Sequence, residues 1–68
     1  MYCIVGNKKA GIYWTGSGWS GSKWGAKRYK TYDKAVLGKK AAYKKVKDNT
    51  LLEIYDFNPM LEEITEVK

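Results

Sequence analysis

Three tryptophans recur five residues apart near the start of the chain: Trp14, Trp19 and Trp24. Tyr13 stands beside the first, and Lys23, Lys27 and Arg28 surround the last. Indole faces stack on planar groups such as nucleobases, and adjacent cations neutralise phosphate or add a cation–π contact. These seven residues form the candidate ligand- or partner-binding set. The same side chains have a competing role, because a short chain needs bulky aromatics to fill its core. That role suits Trp14 and Trp24. Trp19 lies between Gly18 and Ser20-Gly21, with nothing local to bury it, and is the tryptophan expected to make a contact.

Gly16-Ser17-Gly18-Trp19-Ser20-Gly21 satisfies the letter pattern G-x-G-x-x-G. A dinucleotide fingerprint requires that loop to open a helix inside a βαβ unit, with an acid about twenty residues on. Lys23-Trp24-Gly25 follows instead, and the remaining length has no room for a parallel crossover. The stretch therefore reads as a flexible hairpin connection, whose backbone amides still offer a nest to phosphate.

Catalysis is not expected. The chain has no histidine, which removes Ser–His and Cys–His nucleophile pairs and the usual base near neutral pH. Cys3 is the only cysteine, so no internal disulfide forms and no zinc site assembles. Its expected role is a small core side chain, and no cofactor is expected.

Charge divides the chain. Residues 1–47 hold twelve Lys/Arg against one acid, Asp33, whereas residues 48–68 hold six acids against Lys68; the total is +6. A basic body invites a polyanion or an acidic protein surface, so nucleic acid is among the expected partners. Lys34, Lys39, Lys40, Lys44, Lys45 and Lys47 would lie on one helix and could follow a phosphate backbone. Lysine-covered helices also simply keep small domains soluble. The acidic end opposes unspecific polyanion binding, and with Met60, Leu61, Ile64 and Val67 it could instead dock on a basic surface or form a subunit seam.

The elements that must position these groups follow from periodicity. Tyr2–Val5 and Ile12–Thr15 read as strands joined by the Asn7–Gly11 hairpin loop, with Ile4 on one face and Cys3 and Val5 on the other. A third strand is expected within Lys23–Lys30, built on Trp24, Ala26 and Tyr29. Thr31 reads as the N-cap of a helix over Tyr32–Lys47, with Ala35, Ala42 and Val46 in line, flanked by Gly38 and Ala41, and Asp48-Asn49 ending it. Leu51–Phe57 is a further strand. After Asn58-Pro59 the spacing of Met60, Leu61, Ile64 and Val67 favours a short helix, with a strand at Glu63–Val67 as the alternative.

The fold class is α+β: one domain over 1–68, a small antiparallel sheet of three to four strands packed on one helix, in the order ββ(β)αβ. A domain this short buries only about 60% of its unfolded surface. With disulfide and metal excluded, association into a homo-oligomer is the expected compensation. Met1–Asn7 lacks the apolar run of a secretory signal or membrane span, and a lone cysteine suits a reducing compartment. Cytoplasmic localisation without membrane contact is expected.

Taken together, Tyr2-Cys3-Ile4-Val5, Asn7-Lys8-Lys9, Gly11-Ile12-Tyr13-Trp14, Gly18-Trp19 and Ala26-Lys27-Arg28-Tyr29 leading through Thr31 into an alanine-bearing helix form a pattern. It resembles small accessory proteins of tailed bacteriophages with a ββ-turn-helix layout, over roughly residues 2–46. The resemblance implies a stoichiometric inhibitor acting in the host cytoplasm. Such a protein blocks a host antiviral-defence protein or sequesters a cyclic or adenine nucleotide signal.

Overall fold

The computed structural model describes residues 2–46 and 51–67. Five antiparallel strands form one sheet: β1 (Tyr2–Asn7), β2 (Ile12–Trp14), β3 (Trp19–Ser20), β4 (Glu53–Asn58) and β5 (Glu63–Glu66), in the spatial order β3-β2-β1-β4-β5. One helix, α1 (Tyr32–Tyr43), lies on one face, so the protein is α+β as expected, with one strand more than the sequence implied.

β1 holds the centre because Cys3, Ile4 and Val5 are apolar on both faces, as a strand covered on both sides requires. Its alternation is the expected one. Cys3 and Val5 join Trp14, Leu52 and Ile54 beneath Ala35 and Ala42 of the helix, while Ile4 joins Tyr13, Tyr55, Phe57 and Ile64 on the far side. The hairpin loop closes on Asn7, whose carbonyl accepts from the Gly11 N–H at 2.9 Å and whose Oδ1 accepts from the Ala10 N–H at 2.9 Å.

Thr31 caps α1, its Oγ1 accepting from the Lys34 N–H at 3.2 Å, with Asp33 in the positive first turn. Ala35, Gly38 and Ala42 are buried, Val46 packs against the same cluster, and Ala41 is exposed. The helix ends at Tyr43, short of the expected Lys47. The phenol of Tyr43 clamps the chain, accepting from the Leu52 N–H at 2.9 Å and donating to the Leu52 carbonyl at 3.3 Å. Lys47 and the expected terminator Asp48-Asn49 lie outside the described residues.

The third strand differs from expectation. Lys23–Gly25 is a 3-10 turn, capped by Ser22 Oγ accepting from the Trp24 N–H at 3.2 Å, and the strand is Trp19–Ser20. Gly16, at φ +102°, and Thr15 Oγ1, accepting from the Gly18 N–H at 3.0 Å, reverse the chain tightly. Trp19 therefore returns opposite Trp14, ring centroids 5.3 Å apart and edge-on. Trp24 and Ala26 do alternate, but they pack onto the face of the sheet instead of pairing within it. Only Tyr29 meets β1, exchanging both backbone bonds with Cys3 at 2.8 Å and filling the place that three-residue β2 leaves open.

Of the two conformations weighed for the C-terminal segment, the strand forms and the favoured helix does not. Asn58 Oδ1 accepts from the Met60 N–H at 3.1 Å, Glu62 adopts φ 54°, and β5 pairs back on β4. A helix would place Ile64 and Val67 on one side and leave the outer edge of β4 unpaired. The strand sends Ile64 to one cluster and Val67 to the other, and supplies the missing ladder.

Candidate anion-binding groove

The segment after the 3-10 turn and the flank of α1 border an open groove of about 510 Å³. Trp14, Tyr29, Gly38, Leu37 and Ala41 supply its apolar surface, and Lys27, Lys30 and Lys34 its lysines; among the described residues no acid lines it. Glycine at position 38 permits the close approach of Tyr29 to the helix, because a Cβ there would overlap the phenol ring and oxygen. Lys27 is held with its Nζ 5.4 Å from the Tyr29 ring centre and its stem against Gly16. Burial pushes the Tyr29 phenol above its ordinary value of 10, a hydrogen bond with Trp14 opposing the rise. Near neutral pH it is therefore a protonated hydroxyl beside three cations. Chemically, the groove can take a group that is flat and apolar on one side and anionic on the other.

The seven residues chosen from the sequence are not one constellation. Trp14, Lys27 and Arg28 border this groove, though the Arg28 guanidinium is committed over the rings of Phe57, Tyr2 and Trp24 at 5.5, 5.8 and 5.9 Å. Trp24, 45% exposed, closes over Phe57 edge-on at 5.1 Å on the opposite face of the sheet from the helix. Tyr13 is buried, and with Lys23 it borders a third, mixed-charge hollow that includes Lys8, Glu62 and Glu63. Trp19 is no free loop residue: it is half-buried, and its Nε1 donates to the Lys45 carbonyl at 3.2 Å. Lys45 Nζ in turn donates to the Ser17 carbonyl at 3.3 Å, fastening the glycine–serine loop to the helix end. Cys3 takes its expected core place, the thiol pushed up by burial and by Asp56, to which it donates at 3.7 Å.

Sequence reasoning passed over Lys30 and Leu37, and read Lys34 and Gly38 only as parts of the helix; their convergence with Lys27 and Tyr29 depends on where the segment crosses beside β1. It also missed a carboxyl pair. Glu53 and Glu66 meet across β4 and β5 in a wide groove with Lys8, Lys9 and Tyr55, a neighbourhood that only the existence of β5 creates. Their shared hydrogen bond lifts the Glu53 carboxyl above its ordinary 4.5, helped by slight burial and the Glu66 charge and opposed by Lys39. A raised carboxyl favours folding in its protonated form, so the contribution is present below pH 4.5 and is lost as pH rises through the lifted value. Melting curves of Glu66→Gln and parent should then separate in the variant's favour between pH 4 and 7. A constant difference across that range would refute the coupling.

Comparison of the chain with family models, curated proteins and solved structures finds no match.

Proposed function

We propose that the protein is a non-catalytic binder that sequesters a nucleotide, with phosphate on Lys27, Lys30 and Lys34 and the base or sugar against Tyr29, Leu37 and Ala41. The observation that carries the reading is a groove lined, among the described residues, by three lysines and no carboxylate, with an aromatic and aliphatic wall. The biological setting, capture of a host defence signal by a phage-type inhibitor in the cytoplasm, rests on the resemblance in layout. Blocking a defence protein is the other mode that the resemblance implies; the three lysines converging beside an aromatic ring favour the small anionic ligand over it.

The test is a titration with adenosine mono- and triphosphate and a cyclic dinucleotide, read by tryptophan fluorescence and calorimetry. Trp14 borders the groove and should report occupancy. Lys27→Glu with Lys34→Glu should weaken binding at least tenfold, since each reversal replaces an attraction by a repulsion. No binding of any of these ligands, or binding indifferent to both reversals, would sink the reading. Binding of DNA or RNA instead, falling steeply with salt, would favour a nucleic-acid regulator using the exposed Lys40 and Lys44 of α1.

A further inference from the structure

The β4–β5 turn presents an unusual combination. Met60 is 93% exposed and Leu61 64%, the most open pair of adjacent apolar residues among those described, and Glu62 and Glu63 follow at once. The turn is held rigid by the Asn58 side chain, by Pro59, whose carbonyl accepts from the Glu62 N–H at 3.3 Å, and by Glu62 in the left-handed region at φ 54°. A stiff turn that displays two apolar side chains and two carboxylates is the complement of the groove described above. There Leu37, itself 65% exposed, and Ala41 stand beside Lys27, Lys30 and Lys34.

The turn's carboxylates border Lys8 and Lys23 of their own chain, but the turn does not reach its own groove. β1 and β4 stand between the groove's Tyr29 wall and β5. Nor does β5 suit its own symmetric copy: antiparallel pairing of Glu63–Glu66 with itself about its midpoint sets Glu63 opposite Glu66, like charge against like. We propose that the Met60–Glu63 turn of one copy docks in the lysine groove of a second, Met60 and Leu61 against Leu37 and Ala41, Glu62 and Glu63 among the lysines. The contact is heterologous, so each copy keeps one free turn and one free groove, and association runs on to a ring or an open chain. The inference rests on the groove being an anion site, and it makes self-association the competitor of the small anion there.

Sedimentation equilibrium on the full chain tests it with two variants, each at exposed positions: a turn variant (Met60→Ser with Leu61→Ser) and a groove variant (Leu37→Glu). The parent should grow in mass with concentration and shrink toward one-chain mass with added salt. Each variant alone should stay at one-chain mass. An equimolar mixture should give a two-chain species and nothing larger, because one intact turn meets one intact groove. A parent that stays single at every concentration, a variant that associates like the parent, or a mixture that fails to pair would each overturn the proposal. The turn variant keeps its groove, so titrating it with adenosine triphosphate separates the two ideas. Absence of nucleotide binding there, with pairing of the mixture intact, refutes the ligand and leaves the docking standing.

Discussion

Phe57→Ala should remove about 3–5 kcal/mol of the protein's stability at 25 °C. Phe57 is fully buried in β4, between Tyr2 and Ile64 in the sheet, clustered with Ile4, and under Trp24 and Arg28 from above. Emptying such a position costs about 3–5 kcal/mol through lost transfer energy and the cavity left behind. A chain of this length has about 3–10 kcal/mol of total stability. Among the described residues the far face of the sheet carries the 3-10 turn and the residues after it and no α-helix, so little can collapse into the space. Trp24→Ala strips the outer layer and should cost less, since that ring is already 45% exposed. Urea titrations followed by circular dichroism decide the matter. A cooperative transition for Phe57→Ala within about 1 kcal/mol of the parent would show that the second cluster is dispensable.

The second large effect is expected at Gly6. Replacing glycine by alanine in a strand ordinarily helps slightly, by restricting the unfolded chain, about 0.4–1 kcal/mol. Here the sign reverses. A Cβ on Gly6 would stand 2.5 Å from the Ile12 carbonyl oxygen and 2.8 Å from Tyr13 Cδ1. β2 pairs with β1 at only two positions, Gly6 with Tyr13 and Asn7 with Ile12, so the pair must open at one of them. Overpacking of this kind costs about 3 kcal/mol, at the upper end of its usual range. The loss should also reach Trp14, and with it the groove. Gly18→Ala is the matched control: its added methyl meets nothing within 4 Å, and the change should stay within about 0.5 kcal/mol. Equal stability of the Gly6 and Gly18 variants would contradict the close approach of β1 and β2.

How far the sequence announced this molecule depends on whether the signal was local. The two faces of β1, the Asn7–Gly11 loop, the Thr31 cap and the small-residue face of α1 are written in neighbouring residues, and each formed as read. The segment Lys23–Lys30 misled because an alternating pattern says that every second side chain is buried, not whether the burial is within a sheet or upon one. The C-terminal segment misled for the opposite reason: Met60, Leu61, Ile64 and Val67 fit a helical period, but the unpaired edge of β4 decided the outcome. The groove was half legible. Trp14, Lys27 and Arg28 were chosen for their chemistry, whereas Lys30, Lys34 and Leu37 join them only through the Tyr29–Cys3 bridge.

The central position of β1 has a consequence for how the chain is made. It is the strand the other elements must find, and its main partner, β4, lies some fifty residues later in the chain, with Cys3 opposite Asp56 and Tyr2 opposite Phe57. Closing so long a span precedes any reward from the pairing, which slows folding relative to proteins built from local contacts. During synthesis, Cys3-Ile4-Val5 must therefore wait as an open, apolar, two-sided template until Glu53–Asn58 emerges. Until that pairing forms, the centre of the sheet stays exposed.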